Sequence, residues 1–205
     1  MFCLRGRTLP PRDQPLTDAP RERMQVATDA EVVRRVLAGD NGAYALLVQR
    51  HQRAVIASAH HLTGDREAAL DLAQESFIDA WRGLPQLRDH ARFAAWLVGI
   101  LRNKCRGFLS RRAPQEVPLD DAPVPATTDP EPEDGPLLSL LGQLPLADRE
   151  VLAARHIHGL SYSEIASALD MSVGSVRTRC CRARGRLREL LSQRANQVEA
   201  AGEHS

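Results

Sequence analysis

Aromatic residues and long apolar runs are scarce in this sequence. Aromatic residues make up only 4% of the 205 residues, while hydrophobic residues as a whole make up 43%. A core would therefore rest on Leu, Val, Ile and Ala, and alternating Val/Ile/Thr/Tyr runs between hairpin turns are missing as well. This composition favours helices over sheets, so we predict an all-α protein.

The cysteines lack any recognisable pattern. Cys3, Cys105, Cys180 and Cys181 show neither CxxC spacing nor a disulfide framework, which indicates a reduced, cytoplasmic protein. No apolar run approaches the roughly 18 residues that cross a bilayer, and residues 1–27 lack the apolar segment of a secretory signal. We expect residues 1–27 to be a disordered N-terminal tail.

Clusters that could catalyse a reaction or bind a metal are also missing. The pair His60-His61 is isolated, and Cys180-Cys181 lie side by side on one predicted helix. A general acid–base site would need a proton-transferring group placed within reach of a reacting atom. We therefore expect no enzyme, no metal site and no cofactor.

Charge, by contrast, is plentiful and arranged in blocks, although the net charge is only +1. Residues 92–112 carry six Lys or Arg and no acid, and residues 173–194 carry seven Arg and one acid, Glu189. Residues 113–136 carry seven acids and seven prolines without any Lys or Arg. Opposed blocks indicate different partners, and the basic ones fit either nucleic acid or merely solvated helix faces.

Capping and breaking signals delimit a first helical domain. Thr28 and Glu31 have the spacing of a capping box, and breaks at Gly39, Gly64 and Pro85 separate four helices. These helices are enough for one compact four-helix bundle, which we place at residues 28–112.

A second helical domain is predicted beyond the acidic block. Residues 113–136 cannot bury a core, so they form a flexible acidic, Pro-rich linker. Helical periodicity resumes over residues 137–194, and we expect residues 195–205 to be a C-terminal tail.

Residues 159–172 carry the signal of a helix-turn-helix. Ser161 and Glu164 form another capping box, a turn follows at Asp170-Met171, and Ser172 can cap the next helix. In that helix an apolar stripe, Val173 to Leu190, opposes a face of short polar residues and arginines, which the major groove of DNA admits. The outward positions are Gly174, Ser175, Thr178, Cys181 and Arg182, with Arg177 on one flank; Arg179, Arg184, Arg186 and Arg188 suit phosphates.

The third predicted helix, at about residues 66–83, has an acidic outer face. Its inward face would consist of Leu70, Ala73, Phe77 and Trp81. Its outer face carries Asp71, Gln74, Glu75 and Asp79, and from the residues alone this stripe fits simple solvation as well as a docking surface.

These motifs together resemble one family. Asp71-x-x-Gln74-Glu75-x-Phe77-x-x-x-Trp81 is similar to region 2.2 of bacterial sigma factors, and Phe93 to Asn103 is similar to regions 2.3 and 2.4. Leu144 to Arg188 resembles region 4. The chain is too short for regions 1.1 and 3, as in the extracytoplasmic-function (ECF) group.

The resemblance implies partners and roles for these residues. Asp71, Gln74, Glu75 and Asp79 would bind the clamp helices of the largest subunit of core RNA polymerase. The resemblance assigns the promoter −10 element to Arg102, Asn103, Lys104, Arg106, Arg111 and Arg112, and the −35 element to Ser175, Arg177, Thr178, Arg179, Cys181 and Arg182. It also implies an anti-sigma factor as a partner, whereas Trp96 falls on the apolar stripe and is expected in the core.

Two functions remain open at this point. A sigma factor would direct core polymerase to −35/−10 promoters and help to open the −10 DNA. A stand-alone helix-turn-helix regulator would bind duplex DNA without polymerase, although it would have no use for the acidic face.

Overall fold

The computed structural model describes residues 27–112 and 140–202, and for residues 197–202 only the backbone. The predicted N-terminal tail, except for Ala27, and the predicted linker at residues 113–136 lie outside these ranges. Within the described residues every regular element is helical, as the composition predicted.

Short turns join the helices in each described range. The first range contains α1 (Asp29–Leu37), α2 (Tyr44–Thr63), α3 (Arg66–Gly83) and α4 (Phe93–Arg112). Short 3₁₀ turns precede α2 at Asn41–Ala43 and lie between α3 and α4 at Leu84–Gln86 and His90–Arg92. The second range contains α5 (Leu146–His156), α6 (Tyr162–Leu169) and α7 (Val173–Gly202), after a helical turn at residues 140–142. Since α7 continues to Gly202, it runs into the predicted tail at 195–205.

The helix ends follow the predicted capping signals. Thr28 and Glu31 form a complete capping box at α1, and Ser161 and Glu164 form one at α6. Each satisfies backbone donors that the first helical turn leaves without partners. Gly64, with φ +69°, ends α2 in the left-handed region that a residue without a Cβ adopts readily.

Two apolar clusters form the interior, and they share helix α4. The first is built from α1 to α4 around Val32, Leu47 and Phe93. The second is built from α5 to α7, and it includes Ala95 and Val98 on the other face of α4. The two predicted domains therefore pack directly against each other in this structure.

The predicted inward face of α3 is only half right. Ala73 and Phe77 are buried, but Leu70 is 50% exposed and Trp81 is 37% exposed. The buried stripe passes instead through Ala69, Leu72, Ser76 and Ala80. Val173, predicted on the packing stripe of α7, is exposed as well because it lies in the first turn, beyond the edge of the second cluster.

Candidate functional surfaces

Helix α3 presents the predicted acidic face to solvent. Asp71, Gln74 and Glu75 are exposed, and Asp79 is partly exposed. We refer to these four residues as the acidic ridge. The side chain of Glu75 is 60% exposed and that of Asp79 is 45% exposed. The ridge is therefore available to a cationic partner.

An apolar groove of about 430 Å³ lies beside this ridge, between α2 and α3. Tyr44 and Trp81 meet edge to face across it, with ring centroids 4.8 Å apart, and the Tyr44 hydroxyl donates to the Phe77 carbonyl at 2.7 Å. Exposed apolar side chains line it, among them Leu70, Ile78 and Trp81. The residues that depart from the predicted inward face of α3 thus belong to this groove.

The predicted −10 residues of α4 fall into three groups: some are exposed, some form ion pairs with α3 or the turn before it, and some face α5. Asn103 and Arg111 are exposed. Lys104 bonds to Glu75 and Asp79 of the acidic ridge, and Arg112 pairs with Asp65 at 2.7 Å. Arg102 and Arg106 point the other way, toward Glu150 of α5.

The loop before α4 is held by the side chain of Asp89. Asp89 accepts a hydrogen bond from the Ala91 amide at 3.1 Å and thereby starts the short turn at His90–Arg92. Leu87 is buried, whereas Arg88 and Asp89 are exposed. Trp96 packs against the first cluster beside Phe93, with ring centroids 6.2 Å apart, which agrees with a role in the core.

The second described range contains the predicted helix-turn-helix. Helix α6 ends at Leu169, and the next residue, Asp170, forms the tight turn with a φ of +54°. The Ser172 hydroxyl accepts a hydrogen bond from the Ser175 amide at 3.1 Å at the start of α7. Five of the six predicted −35 residues lie on the exposed face of α7: Ser175, Arg177, Thr178, Cys181 and Arg182. The sixth, Arg179, turns toward Asp148 of α5 at 3.5 Å.

Three charged residues outside the predicted sites lie at the start of α5. Asp148, Arg149 and Glu150 are only 2%, 1% and 5% exposed. Glu150 accepts hydrogen bonds from Arg106 at 2.6 and 2.9 Å and from Arg102 at 3.2 Å. The sequence did contain a signal for this burial. Arg149 and Glu150 follow Leu146 by three and four residues, and this spacing places them on the apolar face of the helix.

Of the three cysteines in the described residues, Cys181 lies on the outward face predicted for it. Cys105 and Cys180 are buried in the two clusters, whereas Cys181 is exposed on the outer face of α7. Burial raises the pKa of the Cys105 thiol to about 12, so it does not form the reactive thiolate near neutral pH.

The described residues contain no group of three His, Cys, Asp or Glu side chains that could hold a metal ion. Over the same residues no helix is long and apolar enough to cross a membrane.

These surfaces define a class of protein: a helical transcription factor with a helix-turn-helix and a separate, exposed acidic face. The comparisons with known proteins name the family. The Sigma-70 region 2 model matches residues 47–114, and the Sigma-70 region 4 model matches residues 134–187.

Curated relatives agree with the two domain models. The RNA polymerase sigma-H factor of Pseudomonas aeruginosa is 34% identical over 173 residues, which are 76% of this chain and 90% of the relative. The ECF RNA polymerase sigma factor SigM of Mycobacterium tuberculosis is 33% identical over 166 residues, 80% of this chain and 85% of the relative. The chain spans only 42% of a longer relative, the "Probable RNA polymerase sigma factor RfaY" of Xanthomonas campestris, at 35% identity over 77% of this chain.

Solved structures agree as well. CnrH, in complex with the cytosolic domain of CnrY, matches with a TM-score of 0.64 and 30% identity over 80% of this chain and 97% of CnrH. RpoE of Bartonella quintana, in complex with the anti-sigma factor NepR, matches with a TM-score of 0.59 and 26% identity over 73% and 96%. The chain belongs to the ECF family of RNA polymerase sigma factors. It is a transcription initiation factor and not an enzyme, and the stand-alone regulator is not favoured.

Proposed function

We propose that this sigma factor docks on core RNA polymerase through α3 and directs it to promoters that contact α4 at the −10 element and α7 at the −35 element. The observation that carries the proposal is that one chain exposes both an acidic ridge on α3 and a polar, arginine-bearing face on α7. A factor that only bound DNA would need the second surface and not the first.

The docking surface combines charge and apolar area. Asp71, Gln74 and Glu75 would orient basic side chains of the polymerase clamp helices, because complementary charges contribute orientation and speed of encounter more than affinity. The groove with Leu70 and Trp81 next to the ridge offers apolar area, which contributes affinity when it is removed from water.

Helix α4 and the preceding loop would contact the opened −10 DNA. Asn103 and Arg111 are exposed in the present arrangement, and Arg112 and Lys104 hold surface ion pairs that a phosphate can replace. Extruding a base from the duplex costs a few kcal/mol, which pocket contacts and stacking must supply. Asn103 and the loop at residues 87–92 would provide such contacts.

The exposed face of α7 would enter the major groove of the −35 element. Arg177 and Arg182 can donate two hydrogen bonds to a guanine, and Thr178 can contact a thymine methyl or a base edge. Cys181 offers only weak hydrogen bonding and contributes little sequence selection.

A regulatory partner is part of the proposal. CnrH and RpoE were both solved with a protein partner, CnrY and the anti-sigma factor NepR respectively. We expect an anti-sigma factor to bind this chain too, and we expect the chain to work in the cytoplasm, where polymerase and promoters are.

Run-off transcription from fragmented genomic DNA tests this function. Core polymerase is supplemented with the wild-type chain or with Glu75→Lys, and the 5′ ends of the transcripts are mapped. We expect new start sites that share upstream −35 and −10 sequences with the wild-type chain and their loss with the variant. If core polymerase with the chain initiates only where core alone does, the proposal is wrong.

A further inference from the structure

The ring of Tyr162, at the start of α6, lies between arginines of the two neighbouring helices. The guanidinium carbon Cζ of Arg155, on α5, is 5.1 Å from the ring centroid, and Cζ of Arg177, on α7, is 5.6 Å from it. Both distances lie within the roughly 6 Å over which the face of an aromatic ring attracts a cation. One side chain of α6 thus links all three helices of the second described range.

The position of the Tyr162 ring is fixed by the residues around it. The side chain is partly buried and packs against the second apolar cluster. Arg155 is anchored at the turn between α5 and α6, where it donates a hydrogen bond to the Leu160 carbonyl at 2.8 Å. The capping box of Ser161 and Glu164 holds the backbone on either side of Tyr162. The ring therefore offers Arg177 a contact whose place does not depend on DNA.

Arg177 is held differently from two other arginines of its helix. Arg179 and Arg186 both approach the carboxylate of Asp148. In the described part of the chain, Arg177 is exposed and contacts a ring but no carboxylate. A carboxylate accepts hydrogen bonds from guanidinium N–H groups and so occupies them, whereas the face of a ring attracts the charge itself. Arg177 is therefore restrained while its donors stay available to a base.

This restraint matters for reading a base pair. An arginine recognises guanine by donating hydrogen bonds to O6 and N7, which requires a defined direction of the planar guanidinium group. A long side chain loses rotamer freedom when DNA fixes it, and this loss opposes binding. A contact that already restricts Arg177 in the free protein makes the loss smaller.

We propose that Tyr162 is a positioning residue for −35 recognition, whose ring holds the Arg177 guanidinium in the direction from which it reads one base pair. The proposal rests on the proposed function, in which Arg177 contacts a base of the −35 element. Tyr162 acts through Arg177 and not through a contact of its own with DNA. Removing the ring should therefore lower the preference at the base pair that Arg177 reads and leave the other positions unchanged.

Two substitutions separate the aromatic face of Tyr162 from its apolar bulk. Tyr162→Leu removes the ring but keeps an apolar side chain that can pack against the second cluster. Tyr162→Phe is the matched control, because it keeps the ring and removes only the hydroxyl. Each is made alone and in the Arg177→Ala and Arg182→Ala backgrounds. Arg182 is exposed on the same helix, and among the described residues the cations over the ring are Arg155 and Arg177. Thermal melting verifies that every variant is folded at the temperature of the assay.

Selection from a promoter library measures base preference position by position. Holoenzyme reconstituted from core polymerase and each full-length variant binds duplexes of a promoter mapped by run-off transcription, with the −35 region randomised. The bound duplexes are sequenced, and the affinity for the unrandomised promoter is titrated alongside. We expect Tyr162→Leu to reduce the preference about two- to fivefold at one position, the one at which Arg177→Ala abolishes it. Tyr162→Phe should keep the preference of the wild-type chain.

The double variants test whether Tyr162 acts through Arg177. Tyr162→Leu should change nothing further in the Arg177→Ala background and should keep its full effect in the Arg182→Ala background. Equal losses in both backgrounds, or a loss spread over all positions, overturn the positioning role and indicate a structural one. A uniform loss of affinity in Tyr162→Phe overturns it as well, in favour of a phosphate contact by the hydroxyl.

The single variants separate this proposal from the proposed function. If Arg177→Ala loses the preference at one position and Tyr162→Leu does not, the positioning role is wrong and the proposed function stands. If Arg177→Ala alters no base preference, the −35 assignment of Arg177 is wrong, and the role of Tyr162 fails with it.

Discussion

Lys104 of α4 lies 3.0 Å from Glu75 of α3, and the same ammonium group lies 2.8 Å from Asp79. A residue proposed to bind −10 DNA is therefore paired with the ridge proposed to bind polymerase. The hydrogen bonds that Lys104 donates to Asp79 and Glu75, together with the charges of these carboxylates, raise the pKa of Lys104 above its usual value. Since Glu75 remains 60% exposed, one edge of its carboxylate stays open to a partner.

Reversing the charge of Glu75 should weaken the complex with core polymerase. In Glu75→Lys a new ammonium group faces both Lys104 and the basic partner surface, so repulsion replaces attraction on two sides. We expect a loss of at least tenfold in affinity, about 1.4 kcal/mol, with little change in the melting temperature because exposed ion pairs contribute little to stability. Fluorescence anisotropy with labelled core polymerase and thermal melting measure the two quantities.

Glu67→Lys is the control for this prediction. It makes the same change of charge on an exposed residue of α3, two turns before Glu75. Equal losses of affinity in the two variants would mean that net charge, and not the ridge, controls the interaction.

The exposed apolar groove should contribute affinity for the same partner. Leu70 is 50% exposed in it, so burying the rest of the side chain on binding is worth about 1 kcal/mol. We expect Leu70→Ser to weaken core binding about fivefold, whereas Leu46→Ser, a change at a similarly exposed leucine of α2 outside the groove, leaves it unchanged. Calorimetric titration with core polymerase decides between the groove and a non-specific effect of surface hydrophobicity.

The sequence predicted the helix boundaries well because the residues that begin and end a helix lie close together in the sequence. The capping boxes at Thr28 and Ser161 depend on residues only three positions apart, and Gly64 ends α2 by its own backbone freedom. The outward face of α7 was also predictable, since helical periodicity alone places Thr178, Cys181 and Arg182 opposite the packing stripe.

Long-range packing explains what the sequence did not reveal. A periodic stripe could not show that Leu70 and Trp81 line a groove, because that depends on how far α2 covers α3. Nor could a basic run show that Arg102 and Arg106 meet Glu150, which lies more than forty residues later on another helix. The opposite face of α4, with Ala95 and Val98, likewise finds its partners only in the second unit.

Arg182 should select sequence, and Arg188 should not. Both are exposed on α7, but Arg182 lies on the outward face near its start, whereas Arg188 lies further along the helix where phosphates are reached. Arg182→Ala should reduce discrimination between the preferred −35 sequence and a mismatched one by about 1–3 kcal/mol. Arg188→Ala should weaken both duplexes equally and make the salt slope shallower by about 0.9. Competition binding with the two duplexes measures both effects; a loss of discrimination in Arg188→Ala alone would reverse the assignment.

Two histidines, His61 and His158, make the folded chain sensitive to acid. Burial lowers the pKa of His158 to about 4, and the charge of His51 on α2 acts in the same direction. Burial also lowers the pKa of His61 to about 4, assisted by the charges of Arg149 on α5 and His60 beside it. Both side chains are therefore neutral in this structure at pH 7 and take up protons more readily once exposed.

The free energy of unfolding should consequently fall as pH drops below about 6.5, the usual histidine value. The unfolded chain binds more protons than the folded one between about pH 6.5 and 4, so the stability present above pH 6.5 is lost in that window. Between pH 7.5 and 5.5 each histidine accounts for about 1.4 kcal/mol of this loss.

Urea unfolding of His158→Gln should show a loss smaller than that of the wild-type chain by this amount, because glutamine does not titrate and can still bond to Ser58. His156→Gln, which replaces an exposed histidine two residues earlier in the chain, should keep the wild-type dependence. Identical pH dependence in His158→Gln and the wild-type chain would mean that His158 is not held neutral in the folded chain.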